Sequence, residues 1–335
     1  MSIATNPLLP LLDAALVARE GLLDARHEGA VRLFSGFFEG APELVADCYG
    51  TMLVLHNYAD PPGAGDATIA AATQFFIERL LWLQSVIVKP RNAPTLSERN
   101  GVLRLGTAPE TRVREHGVWY ALDPLMHRDA SLYLDTRNLR AWALEHLAGA
   151  RVLNTFAYTG SIGVAAMAGG AARVVQTDLK REYLNVAKRS YALNGFPIAK
   201  ADFQAVDFWV RIGQMKRAGE RFDCVFVDPP FFAATGKGTV DLVGQSHRVI
   251  NKVRPLINDG GTLVAINNAL FVSGAEYLHT LETLCADGYL AIEELIPVPP
   301  DCTGYPETRV RAPLVDPAPF NHSTKIAILR VRRKG

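Results

Sequence analysis

The stretch Val152-Leu153-Asn154-Thr155-Phe156-Ala157-Tyr158-Thr159-Gly160-Ser161-Ile162-Gly163 reads as a buried strand that turns through glycine into a helix. In open α/β sheets, ligands bind beyond the carboxyl ends of the strands. Gly160 and Gly163 are expected to allow a tight turn and close approach of a ligand to the backbone. The same texture repeats on both sides. Apolar runs at 173–177, 224–227, 262–266, 291–298 and 325–331 alternate with helical patterns. This is the signature of a doubly wound, mostly parallel α/β sheet with helices on both faces. The last pair differs. The connection after 292–298 holds Pro299, Pro300, Pro306, Pro313, Pro317 and Pro319, which leaves little room for the helix a parallel crossover needs. The final strand is therefore expected to be antiparallel.

Acidic residues mark the carboxyl ends of these strands. Asp178 follows the second strand about 20 residues after the glycine turn, a position suited to ribose hydroxyls; capping the next helix is its competing role. Asp207-Phe208 offers a carboxylate for an adenine amino group and a ring for the purine, with Asp202 as the competitor. Val225-Phe226-Val227-Asp228-Pro229-Pro230-Phe231-Phe232 is the strongest signal. Two successive prolines fix an extended backbone and hold Asp228 and the rings at the sheet edge. An aromatic ring there can stack on a flipped base, worth about 1–3 kcal/mol. No G-x-G-x-x-G and no Walker loop occurs, which argues against a pyrophosphate cradle for NAD or FAD.

Further out, residues 1–26 read as a helix with Leu12, Ala15, Leu16 and Ala18 at helical spacing. Residues 30–58 have strand-and-turn composition, and Asp60-Pro61-Pro62-Gly63 is a break. A helix is expected over 67–84 and a short strand over 85–88. Lys89, Arg91, Arg99, Arg104, Arg112 and Arg114 outnumber the acids of 89–115, which suits a solvated surface and an RNA-contacting face equally. The boundary falls in 116–135. The expected organisation is an N-terminal helix at 1–27, a small α+β domain of RNA-binding type at 28–125 and a catalytic domain at 126–335.

Composition excludes other classes. The 335 residues are 49% hydrophobic and 21% charged, which suits two ordered domains. No apolar run reaches the roughly 18 residues of a membrane span, and the acidic Asp13 and Glu20 do not suit a signal peptide. Cys48, Cys224, Cys285 and Cys302 are scattered, which speaks against a disulfide framework or zinc site and for the cytoplasm. The histidines are not spaced as ligands, so no metal is expected. With a net charge of +1, any nucleic-acid surface must be local.

The doubly wound sheet with an antiparallel end resembles the class I methyltransferase fold. More specifically, the chain from about residue 30 onward resembles the S-adenosylmethionine-dependent ribosomal-RNA methyltransferases, a group with cytosine carbon-5 and guanine nitrogen-7 branches. Arg32-Leu33, residues 43–50, Arg114-Glu115-His116-Gly117 and residues 131–140 carry the likeness, followed by the glycine turn, Asp178, Asp207-Phe208 and residues 228–232 in family order. The resemblance implies S-adenosylmethionine as cofactor, held by Tyr133, Asp135, Arg137, Asn154, Phe156, Tyr158, Thr159, Gly160, Ser161, Asp178, Leu179, Asp207, Phe208 and Asp228. It implies Asp228, Pro229, Phe231 and Asn267 as catalytic residues. It also implies an rRNA substrate and a monomer or homodimer.

Two departures follow. A single helix stands where the family often has a PUA domain. The cysteine that the carbon-5 branch needs near the end of the fifth strand is replaced by Ile266-Asn267-Asn268-Ala269. Carbon-5 of cytosine is not nucleophilic until a thiolate adds to the ring, so a ring nitrogen, guanine's above all, is the expected target. Cys302 is the one candidate for a displaced nucleophile, and the 299–323 loop is expected to cover the substrate. The rival readings are a methyltransferase for a small molecule or protein, an RNA-binding protein without catalysis, and, more distantly, a nicotinamide oxidoreductase.

Overall fold

A computed structural model describes residues 6–312 and 317–333, and its strands place alternate side chains on opposite faces. Two compact units result. The smaller comprises 1–134 together with 299–313, and the larger 135–298 with 314–335.

The smaller unit holds a sheet of β1 (Ala30–Ser35), β2 (Leu44–Tyr49), β3 (Met52–Asn57), β4 (Ser85–Pro90) and β5 (Val102–Leu105) in that spatial order. Only β3 and β4 run parallel, joined through the helix Asp66–Arg79. A hairpin of β6 (Arg112–Glu115) and β7 (Val118–Ala121) follows. Val31, Leu33, Leu44, Ala46, Cys48, Leu53, Leu55, Val86 and Val88 pack with Ile69, Ala72 and Phe76 of that helix.

Three expectations change here. The first helix spans only Leu8–Val17, and its Leu12, Ala15 and Leu16 belong to this core, so 1–27 is not a separate domain. The division falls at 134/135 instead of 125/126. The basic run is not one face: Lys89 is fully buried, its Nζ donating to the carbonyls of Asn100, Pro124 and His127 at 2.6, 2.6 and 2.9 Å. Arg91 pairs with Asp129 at 3.0 Å.

The segment 299–313 is tied into this unit by a buried ion pair. Arg19 Nη1 and Nη2 donate to Glu39 Oε1 and Oε2 at 3.0 Å each, and Nη2 also reaches the Asp301 carbonyl at 2.8 Å. Glu39 further accepts the Ser35 N–H at 2.7 Å and the Thr308 hydroxyl. Residues 299–323 are thus not one loop: 299–312 folds with the smaller unit, and 313–316 lie outside the described residues.

The larger unit contains β8 (Arg151–Thr155), β9 (Arg173–Asp178), β10 (Phe203–Ala205), β11 (Phe222–Val227), a hairpin of β12 (Phe232–Thr235) and β13 (Gly238–Asp241), then β14 (Ile257–Asn267), β15 (Leu290–Ile296) and β16 (Lys325–Val331). The main sheet runs β10-β9-β8-β11-β14-β16-β15. Its first five strands pair in parallel, while β16 is antiparallel to both neighbours, as the prolines implied.

Parity sorts the core. Leu153, Val225, Val227, Leu263, Ala265, Ala327 and Leu329 face the helices Phe208–Arg217, Ser246–Val253 and Gly274–Cys285. Val152, Cys224, Phe226, Val264, Ile266, Ile326 and Ile328 face Arg137–His146 and Ser161–Ala168. Strand order reverses between β8 and β11, which makes the carboxyl ends of these strands the crevice where such sheets bind ligands.

Candidate active site

At the end of β8 the chain makes an unusual turn. Phe156, Tyr158 and Gly160 have φ of 53°, 49° and 76°, a left-handed conformation that is uncommon for residues with a Cβ. The carboxylate of Asp178, on neighbouring β9, braces it: Oδ2 accepts Tyr158 N–H at 2.8 Å and Oδ1 accepts Lys180 N–H at 2.9 Å. Burial raises the Asp178 pKa, opposed by these backbone donors. A carboxylate offers about four acceptor sites, so these backbone donors leave room for a ligand. Asp202, the competitor of Asp207 for the adenine, is bound to Arg173 at 2.6 Å, at the opposite end of β9.

The glycines serve a purpose the sequence did not show. A Cβ on Gly160 would lie 2.4 Å from Gln176 Oε1 and 2.5 Å from Ala187 Cβ; on Gly163, it would meet the same glutamine at 2.8 Å. They allow the turn to settle on the buried Gln176, whose Oε1 accepts the Asn154 amide at 3.4 Å. Asn154 is itself buried, and its amide supports the turn from within the sheet. Gly160→Ala is expected to cost about 3 kcal/mol, combining overpacking with left-handed strain. Urea unfolding checks this, and a loss below about 1 kcal/mol would show that Gln176 moves aside.

Asp207 caps the helix Phe208–Arg217, accepting Val210 N–H at 3.1 Å. Phe208 is a core residue; its ring stacks on Phe156 at 4.5 Å. Of the two rings, Phe156 is the one that keeps some exposure. Thr159 is buried, Ser161 opens its helix, and Leu179 is exposed beside Asp178. Tyr133 belongs to the smaller unit, where its hydroxyl donates to Asp129 at 2.7 Å. Arg137 opens the helix Arg137–His146 of the larger unit.

The carboxyl end of β11 carries Asp228. Among the described residues none hydrogen-bonds its carboxylate, and burial, reinforced by the charge of Asp135, pushes its pKa up to about 7. Asp135 accepts the Thr324 hydroxyl at 2.6 Å. Asp135 also faces His322 Nδ1 at 3.9 Å, whereas Asp228 has no such partner among the described residues, and an uncompensated carboxylate of this kind favours a positively charged ligand. Pro229 is buried, whereas Phe231 is 52% exposed. Leu270 and Phe271, after β14, are exposed too.

Asn267 does not face this site. It is 0% exposed, its Nδ2 donates to the Leu242 carbonyl at 3.2 Å and its Oδ1 accepts Ala269 N–H at 2.9 Å. The residue that reaches the Asp-Pro-Pro segment is Asn268, whose Nδ2 donates to the Pro229 carbonyl at 3.1 Å. Lys325, read in the sequence only as the start of a strand, is also fully buried. Its Nζ donates to the carbonyls of Ala269, Val272 and Ser323 at 3.0, 2.9 and 2.7 Å, and burial pulls its pKa down to about 8. A charged residue opening an otherwise apolar strand was the available signal.

Residues 103–312 match the model of the S-adenosylmethionine-dependent methyltransferase family. The chain belongs to this family. Its cofactor is accordingly S-adenosylmethionine, a sulfonium cation bearing an ammonium group, which suits the Asp135–Asp228 pair. The chain is 31% identical to the ribosomal RNA large subunit methyltransferase I of Photobacterium profundum over 76% of its own length and 65% of that protein's. In fold it is similar to a methyltransferase crystallised with SAH, with a TM-score of 0.81, 20% identity and coverage of 96% of this chain and 80% of that one. A SAM-dependent methyltransferase from Streptococcus mutans gives a TM-score of 0.80 at 19% identity, covering 99% and 82%. Among the described residues no cluster of His, Cys, Asp or Glu is arranged for a metal, and no helix is long and apolar enough to cross a membrane.

Proposed function

We propose that this chain transfers a methyl group to a ring nitrogen of an RNA base, most specifically guanine in large-subunit ribosomal RNA, by direct in-line displacement. RNA as the substrate is supported by the names of the curated relatives, of whose length the chain spans about 65%. The nitrogen target is carried by one observation, the placement of the four cysteines. Cys48 and Cys302 are buried in the smaller unit, Cys224 is buried within β11, and Cys285 closes the helix Gly274–Cys285 at its far end. Burial raises the thiol pKa of Cys48, Cys224 and Cys285. None stands at the end of β14, where the carbon-5 reaction requires a thiolate, and the burial of Cys302 speaks against its serving as a displaced substitute.

Bound S-adenosylmethionine supplies an electrophilic methyl group, so the residues act mainly by alignment, which contributes up to about 7–11 kcal/mol. In this reading Asp178 accepts the ribose hydroxyls, and Asp207 with the Phe156 ring serves the adenine. Asp135 and Asp228 neutralise positive charge. Phe231 stacks on the extruded base; were the target an exocyclic amine instead of a ring nitrogen, Asp228 or the Pro229 carbonyl would accept its hydrogens.

The test is transfer of labelled methyl to large-subunit rRNA from cells lacking the gene, followed by nucleoside mass analysis. A methylated guanosine is expected. Labelled 5-methylcytidine would overturn the cysteine argument, and no label with cofactor binding intact would exclude RNA.

A further inference from the structure

The two asparagines that follow one another at the end of β14 bind the two ends of a single segment. Asn268 holds the Pro229 carbonyl and Asn267 the Leu242 carbonyl. Between them lie the exposed Phe231 and Phe232 and the β12–β13 hairpin. The amide orientations are fixed by chemistry: a carbonyl only accepts, so each asparagine must turn its NH2 toward it.

The asparagine turn is itself anchored. Lys325 stands opposite Asn267 in the β14–β16 register and gathers the carbonyls of Ala269 and Val272, just past the turn, with that of Ser323. Three carbonyls are the full donor capacity of an ammonium group. A buried lysine replaced by an apolar residue would leave these carbonyls without their donor.

We propose that Asn267, Asn268 and Lys325 form a staple that positions the 229–242 segment, so that Asn268 and Lys325 are positioning residues for the reacting base and not catalytic ones. This rests on the assignment of Asp228, Pro229 and Phe231 to the substrate. The staple sets the direction of the Pro229 carbonyl and thereby the plane in which a base can lie against Phe231. A displacement of about 1 Å at a reacting centre costs about a hundredfold in rate, so the effect belongs in kcat.

Two variants test it in the full chain, Asn268→Ala and Lys325→Met. Backbone hydrogen exchange is measured without RNA, and steady-state kinetics with it. The expected result for Asn268→Ala is faster exchange confined to 229–242, a kcat lowered about 10–100-fold, and S-adenosylmethionine affinity within about twofold of the parent. Lys325→Met is expected to loosen 268–272 and 229–242 together. Because Asn268 is only partly buried, its variant keeps the test available should Lys325→Met fail to fold. Unchanged exchange in 229–242 for Asn268→Ala would overturn the staple, as would faster exchange spread evenly over the larger unit. Exchange is read without substrate, so a wild-type enzyme inactive on RNA would refute the RNA assignment and leave the staple standing or falling on its own result.

Discussion

Asp228→Asn is expected to lower kcat by about 10²–10³-fold while raising the melting temperature at pH 8. On the role proposed for Asp228, the loss of rate follows from removing a preorganised charge beside the reacting groups. The gain in stability follows from the environment of the carboxyl group. Its pKa rises from 3.8 to about 7 on folding, through burial and the nearby Asp135. A raised acid pKa means that the folded chain resists ionisation. The penalty is absent below about pH 4, grows as pH rises through the interval to 7, and is complete above it. At about 1.36 kcal/mol per unit the whole shift would amount to about 4 kcal/mol. The residue is only half-buried, and solvent screening reduces this to about 1–2 kcal/mol, a few degrees in melting temperature. The variant should therefore outlast the parent at pH 8 and approach it at pH 5. Melting curves of the cofactor-free protein that differ equally at both pH values would remove burial as the cause. An active variant would remove Asp228 from the mechanism.

Glu39→Ala should destabilise the smaller unit by about 3–5 kcal/mol, the usual cost of leaving a buried charge unpaired. The Arg19 guanidinium, 0% exposed, would lose both carboxylate contacts, and the Ser35 N–H and Thr308 hydroxyl would lose their acceptor. Thr308 lies in the returning segment, so proteolysis should appear first in 299–313. The double variant Arg19→Met, Glu39→Leu should recover most of the loss, because apolar replacement of a whole buried pair is often neutral. A single variant losing less than about 1 kcal/mol in urea unfolding, or a double variant no better than the single, would contradict this account.

Much of the larger unit is legible in its sequence, for physical reasons. Parity along 152–155, 224–227 and 326–329 records two buried faces, and the prolines after 298 record the missing crossover helix. The acidic strand ends are legible because a charge at the edge of an apolar run has little reason to be there except capping or ligand binding. What escaped depends on distance or on a single step of register. Arg19 and Asp301 are 282 residues apart, and nothing local in either predicts their contact. Asn267 is the last residue of β14 and Asn268 the first beyond it, so one ends buried on the Leu242 carbonyl and the other on the Pro229 carbonyl, a difference that turns on where the strand stops. Gly160 and Gly163 announce a tight turn with space beside it, but Gln176, which lies against both, is a neighbour reached only through the pairing of β8 with β9.

The order of the sheet also bears on synthesis. Its last strand, β16, is made last yet sits inside, between β14 and β15. On the ribosome β15 therefore emerges with no partner strand and must wait some thirty residues of translation, at roughly 5–20 residues per second, for one. The smaller unit waits as well, since Asp301 and Thr308 are supplied late. Both units thus close only after residues beyond 299 have emerged, and a chain released short of residue 325 would hold neither β16 nor a completed sheet.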